Sequence, residues 1–403
     1  MPTPSTPCRR NMRPAASRMF CRLRALSSLV MRGIAVLSHP SRLDLFDDSH
    51  HHSKSFNVRH HHYWNRSVMR TIAHDRYGEA DQVLRLSELP RPPAPEAGEV
   101  RVRVLSRPIH PGDLAGVRGA VGATQRRFAR PRVPGLEGMG VVETVGEDVR
   151  HLRPGQRVAF FPVPGTWSEL LTAPAELMVP VPEAVSEETA ALMLVNPLTL
   201  LTLLRAVEEA QHGRPGPVIQ TAAGSSVGKL VSAAALRHDI PLVNLVRSDT
   251  GAQTLRQRFP ELPTISTADA DWRNQVREAS GGRGARVVLD AVGGSLPGEL
   301  IGLLGDGGTL VTYGRLGSGS TALESLELTP RALTVRGVSI EQWMTRTREE
   351  RAEDIAFAAR LAATSPELIE AAAAYDLADF AEAVDHVRRP GKNGTVLLTS
   401  TPP

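Results

Sequence analysis

The sequence predicts an α/β protein in which an irregular β-rich unit is followed by a parallel sheet with helices on both faces. Three observations carry this. Between residues 69 and 180 short alternating stretches are broken by turns, as in Glu99-Val-Arg-Val-Arg-Val-Leu105. Beyond residue 187 the grammar changes to apolar runs separated by helical segments, the pattern of strands buried on both faces. One of those runs, Pro217-Val-Ile-Gln-Thr221, leads straight into a small-residue loop, Ala222-Ala-Gly-Ser-Ser-Val-Gly228, and then a helix.

In chain order, Met69-Arg-Thr-Ile-Ala73 reads as the opening strand, and Gly140-Val-Val-Glu-Thr-Val-Gly146 and Gln156-Arg-Val-Ala-Phe-Phe161 as further short ones. A helical stretch is expected over 187–210, interrupted near Asn196-Pro197. Strands follow at Pro217–Thr221, Pro241–Val246, Arg286–Asp290 and Gly308–Tyr313. Helices are expected over about 346–364 and 377–388, and a last strand over Gly394–Thr399. The expected domains are 69–194, 195–334, and a return over 335–403 that completes the first.

With 403 residues, 41% of them apolar, the chain can bury a large core, and no run of eighteen apolar residues suggests a membrane-spanning helix. Only Cys8 and Cys21 are present, so neither a disulfide scaffold nor a cysteine-rich zinc site is possible. The formal net charge of +4 misleads. Residues 1–68 hold 11 Lys/Arg against 3 Asp/Glu, which leaves the remainder with more acids than bases. Nucleic acid is therefore not an expected partner of the body, and no membrane association is expected.

Residues 1–68 carry both cysteines and seven of the thirteen histidines, including the triplets His50–His52 and His60–His62. They have no sustained period and are expected to be a disordered or targeting-like extension, or sequence ahead of a true start at Met69. A cytoplasmic location follows from the second reading and a mitochondrial one from the first.

The loop 222–228 points to a dinucleotide. Small residues let the backbone approach a pyrophosphate, and the free N–H groups and dipole of the helix N-terminus attract it. The fingerprint is degraded, since Ala223 and Ser225 stand where two glycines are usual, and Ser225 and Ser226 offer hydroxyl donors instead. At the end of the next strand, where an NAD site carries an acid, stands Arg247, followed by Ser248 and Asp249. A guanidinium there matches a 2′-phosphate, so NADPH is the expected cofactor.

Residues 69–403 resemble the medium-chain dehydrogenase/reductase superfamily through Pro111-Gly-Asp113, Gly135-Leu-Glu-Gly-Met-Gly140, Gly155-Gln-Arg-Val158, Asn196-Pro197, Asp290-Ala-Val-Gly-Gly294 and the Gly394–Leu398 ending. Within it, Gly165-Thr-Trp167, Val195-Asn-Pro197, the segment from Gln220 to Gly228, Val246-Arg247, Gly308-Thr-Leu-Val-Thr-Tyr-Gly314, and Arg336-Gly337 with Gln342-Trp343 are most similar to the zinc-independent branch of 2-enoyl thioester reductases and quinone oxidoreductases. The resemblance implies a GroES-like catalytic domain, a Rossmann domain, a small-molecule substrate and a homodimer. It places cofactor contacts on Asn196, on Gly224, Ser225, Ser226, Val227 and Gly228, and on Arg247, Ser248 and Asp249. It adds Tyr313, Gly314, Arg315 and Leu316, then Val338, Ser339 and Ile340.

Zinc-using members of the superfamily place a Cys where His110 stands and a His where Leu136 stands. Leu136 cannot ligate, so the three protein ligands of a catalytic zinc cannot assemble, and no metal is expected. A lysine of the enoyl reductases aligns with Thr395, and their catalytic tyrosine falls on Val121 or Thr124 according to the direction of counting; neither is a phenol. His110 is the candidate proton donor, with an ordinary pKa that suits the task, packing or hydrogen bonding in the cleft being the alternative role. Asp113 is read as ordering the local backbone, and Trp167 and Trp343 either line the substrate cleft or pack the core.

The function expected is NADPH-dependent reduction of an activated C=C bond or a quinone by hydride transfer. The alternatives are an NADPH-binding protein with regulatory or vestigial activity, and a zinc-type alcohol dehydrogenase.

Overall fold

A computed structural model describes residues 67–119 and 127–400. The N-terminal extension with its cysteines and histidine triplets, and Val121 and Thr124, lie outside the described residues.

Six strands form a wholly parallel sheet in the spatial order Thr264–Ser266, Leu242–Val246, Val218–Gln220, Ala285–Asp290, Leu304–Thr312, Thr334–Gly337. Successive side chains alternate between its two faces. Val218, Val287, Leu289 and Val311 pack under the helices Val195–Gln211 and Ser226–Arg237, while Ile219, Val243, Val288 and Leu310 join the core with Trp272, Val276 and Leu300. Burial on both faces explains the near-continuous apolar runs in the sequence. The chain builds this sheet outward from Val218–Gln220 to Thr264–Ser266, then crosses to the other side of its first strand. The reversal leaves a crevice beyond the C-terminal ends of Val218–Gln220 and Ala285–Asp290, the switch point where such sheets bind ligands.

The second sheet is mixed, with the order Ala371–Asp376, Thr395–Thr399, Glu99–Pro108, Gly138–Val145, Arg157–Phe160, Met178–Pro180, and with Leu170–Pro174 paired to the first half of Glu99–Pro108. Val100, Val102 and Val104 alternate inward from the central strand into a core with Val142, Val158 and Phe160. The last strand therefore returns to the sheet that begins, in chain order, with Glu99–Pro108, and contacts gather this sheet and the parallel one into one compact unit.

The expected break at Asn196-Pro197 lies elsewhere. The short helix Glu187–Ala191 ends before Leu192, and the next begins at Val195, so Asn196 and Pro197 sit in its first turn. A proline costs little there because the N–H it lacks has no helical acceptor.

Candidate active site

The C-terminal ends of the parallel strands gather the residues read as cofactor contacts. After Val218–Gln220 the backbone turns through Ala222 at φ +49° and enters the helix Ser226–Arg237 with Ser225 as its cap, the Ser225 hydroxyl oxygen accepting from Gly228 N–H at 3.0 Å. That oxygen thus serves the helix, and the hydroxyl proton is left to donate. Gly228 is required by packing: a β-carbon there would fall 2.6 Å from the carbonyl oxygens of both Ala222 and Ala223. Gly224, by contrast, faces open space. The loop is tied down from beneath by Gln220, whose Nε2 donates to Gly228 O (3.0 Å), Ser232 Oγ (3.0 Å) and Asn244 Oδ1 (2.7 Å).

Arg247 follows the neighbouring strand. It is exposed, and among the described residues its guanidinium has no acid partner. Ser248 caps the helix Asp249–Arg258, its Oγ accepting from Gly251 N–H at 3.2 Å, and Asp249 opens that helix.

Across the crevice, buried Asp290 organises the turn after its strand. Its carboxylate accepts from Thr221 Oγ1 (2.8 Å), Val292 N–H (3.1 Å) and Gly293 N–H (2.9 Å). Tyr313 N–H donates to Asp290 O and Leu316 N–H to Ala291 O, which holds 313–316 alongside. The Tyr313 hydroxyl is buried and has no hydrogen-bond partner among the described residues, and burial followed by the Asp290 charge pushes its pKa well above the ordinary phenol value. Gly314 closes on Ala291, while Arg315 and Leu316 are exposed. Val338 N–H donates to Thr312 O at 2.9 Å, and Ser339 caps the short helix that starts at Ile340.

His110 belongs to the other sheet. It caps the helix Pro111–Arg118 just beyond Glu99–Pro108, and Asp113 Oδ2 accepts from its backbone N–H at 2.8 Å. Burial raises the Asp113 pKa to about 6, against the lowering effect of His110. Asp113 therefore does order the backbone. Beneath the strand end, Arg107 is fully buried, donates to the carbonyl oxygens of Val104, Thr166, Ser168 and Leu398 and to Ser400 Oγ, and is pushed down by burial to about 9.

The His110 ring lies 2.6 Å, through Nε2, from Glu137 Oε2. Glu137 is 1% exposed, and its other oxygen accepts from the N–H groups of Leu194 (2.9 Å) and Val195 (2.8 Å), at the N-terminus of the helix that carries Asn196. A carboxylate is favoured at that end of a helix. Burial opposes a charge on His110, but the hydrogen bond and charge of Glu137, with the charge of Asp113, outweigh it and lift the pKa above the ordinary imidazole value. This links His110 to Asn196, two sites that the sequence named separately. Glu137 was passed over as a functional residue, although its place in Gly135-Leu-Glu137 was the available signal.

Trp167 and Trp343 pack rather than line a cleft. Trp167 is wholly buried with Nε1 on Pro108 O at 3.2 Å, and Trp343 is 3% exposed with Nε1 on Asp354 Oδ2 at 3.0 Å. Thr395 carries a hydroxyl where a lysine is usual, and its Oγ1 lies 3.0 Å from Ser226 Oγ, so the last strand touches the glycine-rich loop directly.

Comparison with known proteins agrees with this geometry. The alcohol dehydrogenase GroES-like domain matches residues 96–183, and the zinc-binding dehydrogenase family matches residues 226–360. The mitochondrial enoyl-[acyl-carrier-protein] reductase of Xenopus tropicalis is 32% identical over 292 residues, which is 70% of this chain and 79% of that protein. A Bacillus thuringiensis structure described as an NADPH:quinone reductase superposes with a TM-score of 0.70 at 29% identity, covering 83% of this chain and 99% of the other. A mycobacterial protein complexed with NADPH superposes with a TM-score of 0.70 at 25% identity, covering 82% and 99%. On this fold, this ordered run of motifs and these relatives, the chain belongs to the medium-chain dehydrogenase/reductase superfamily, in its branch of enoyl reductases and quinone oxidoreductases.

Proposed function

We propose that this protein is an NADPH-dependent oxidoreductase that reduces an activated C=C bond, as in a 2-enoyl thioester, or a quinone, with His110 as the proton donor and without a metal. The observation that carries the reading is the pairing of an open glycine-rich loop and acid-free Arg247 on one sheet with the His110–Glu137 pair on the other. The curated relatives are named as enoyl reductases, and the mycobacterial neighbour holds NADPH, which supports the same cofactor here.

The residues present fit a dinucleotide. Gly224 and the small residues beside it leave room for a pyrophosphate, and Arg247 offers a bidentate partner for a 2′-phosphate. In this reading Asn196, residues 224–228, 247–249, 313–316 and 338–340 hold NADPH, which supplies a hydride when bound.

His110 supplies the proton. With Nε2 held by Glu137, the proton that the imidazolium gives to a substrate is the one on Nδ1. Donation from Nδ1 to the α-carbon of an enoyl thioester, or to a quinone oxygen, leaves a neutral ring whose Nε2–H still bonds Glu137. The Glu137 carboxylate, itself held by two backbone N–H groups, fixes the ring and favours its charged form.

The metal-free reading rests on Leu136 at a ligand position and on the Nε2 atom of His110 being engaged by Glu137. No helix among the described residues is long and apolar enough to cross a membrane. The basic N-terminal segment and the mitochondrial relatives together support a mitochondrial location. Consumption of NADPH by the metal-stripped protein, with an enoyl thioester and with a quinone as acceptors, tests the proposal.

A further inference from the structure

Among the described residues the chain passes between the two sheets twice. It enters the parallel one through the helix Val195–Gln211. It leaves after Thr334–Gly337 by the segment 338–347, and the helix Arg348–Thr364 then packs Ala358 and Ala362 into a core with Met139, Ala159 and Leu397 of the mixed sheet. Each crossing carries part of the site described above. The first holds Leu194 and Val195, whose N–H groups bond Glu137, and the second holds residues 338–340.

Both crossings are fastened to one buried carboxylate. Asp354, in the helix Arg348–Thr364, is 3% exposed. Arg205, on the first crossing, donates to both of its oxygens, Nη1 to Oδ2 at 3.1 Å and Nη2 to Oδ1. From the second crossing Trp343 Nε1 donates to Oδ2 at 3.0 Å, and Arg346 Nε lies 3.3 Å from the same oxygen. The Trp343 ring stands beside Phe161, centroids 5.9 Å apart, in a core that includes Leu194 and Leu198. The helix Val195–Gln211 also packs directly on Ile340–Thr345.

Stability alone does not explain a carboxylate here. Desolvation offsets much of the attraction in a buried ion pair, and exchange for apolar residues is often neutral. The ionic contact supplies geometry, because Arg205 engages Asp354 through two nitrogens at once. Hydride transfer is sensitive to geometry of this kind. Reacting atoms must approach to about 3–3.5 Å, and a misplacement of about 1 Å can cost on the order of 10²-fold in rate. Asp354 bonds to none of the residues assigned to the cofactor or to proton donation, so it acts through Arg205 and Trp343.

We infer that Asp354 is a positioning residue for hydride transfer, clamping the two crossings together so that His110, held by Glu137, keeps its register against the cofactor contacts at 338–340. This role rests on the reductase reading above and adds the tie that aligns its two halves.

The experiment measures NADPH dissociation constants, thermal midpoints and single-turnover rates of NADPH oxidation at saturating acceptor, for the full chain and for Asp354→Asn and Arg205→Met. In Asp354→Asn the remaining oxygen can still accept from Trp343, while the new amide sets N–H groups against Arg205. Arg205→Met cuts the same tie at a side chain that is about one-third exposed, and it decides the question alone if Asp354→Asn does not fold. Both variants should slow the single turnover about tenfold or more, within the range that misplacement produces, with NADPH affinity nearly unchanged. A role confined to stability would lower the midpoint and leave the rate of the folded protein as it was. An unchanged rate in either folded variant, or NADPH affinity lost as steeply as rate, would overturn the inference. A wild type that turns over no acceptor would overturn the reductase reading, and this role with it.

Discussion

His110 and Glu137 stand 2.6 Å apart, one from the end of a β-strand and the other from a loop 27 positions later, and Glu137 spends its second oxygen on the helix that opens the nucleotide-binding half. The pair is thus fixed at the seam of the two sheets, where a proton donor must sit if substrate and nicotinamide meet there. Its pH behaviour follows from which partner raises the imidazole pKa.

The donor works as imidazolium, so turnover falls as pH rises through the raised His110 pKa. In Glu137→Gln the lifting charge is lost while burial and Lys392 still oppose protonation, so the descending limb moves to lower pH. Turnover above the shifted pKa should fall, by at most the roughly 10²–10⁴-fold that a positioned acid contributes, with NADPH affinity nearly unchanged. His110→Asn should remove the limb altogether. A pH–rate profile checks both, and an unmoved limb in Glu137→Gln would assign the titration to another group. The same shift bears on stability: a raised histidine pKa favours the folded state below the unfolded value near 6.5, and that contribution is lost as pH rises through the folded pKa.

Arg247→Ala should weaken NADPH binding by about 1.5–3 kcal/mol, the loss of a charge-assisted contact, and leave NADH binding nearly as it was. Titration with both cofactors measures it. Equal losses would remove Arg247 from the 2′-phosphate.

Gly228→Ala should destabilise the fold by about 1–3 kcal/mol, the usual cost of overpacking, because the new methyl meets backbone carbonyl oxygens of Ala222 and Ala223 rather than a movable side chain. The helix must retreat from the strand, so cofactor affinity should fall too. Denaturant unfolding beside a binding titration reads both, and a variant as stable and as tight as the wild type would show that the helix has slack.

The parallel sheet was legible because its strands are buried on both faces and therefore lack polar alternation, as in Leu242–Val246. The loop at 224–228 and Arg247 were legible because their chemistry is local: a strand, a turn and a helix in sequence order. The partners of His110 were not. Glu137 and Lys392 come from distant segments, as does the Leu194 N–H that holds Glu137, and no periodicity in one segment reports on another. The tryptophans show the same limit, since only packing distinguishes a buried Trp167 on Pro108 O from one that faces a substrate. The helix break was misplaced because proline was read as an interruption, whereas at Pro197 it stands in a first turn.

The central claim is NADPH-driven reduction without a metal, and the most direct measurement is the initial rate of NADPH consumption by the chelator-treated full chain, with crotonyl-CoA and with a quinone as acceptors. The account predicts turnover of at least one acceptor, slower with NADH than with NADPH, and no gain on adding zinc. Tight NADPH binding with neither acceptor reduced, or activity that appears only when zinc is restored, would contradict it.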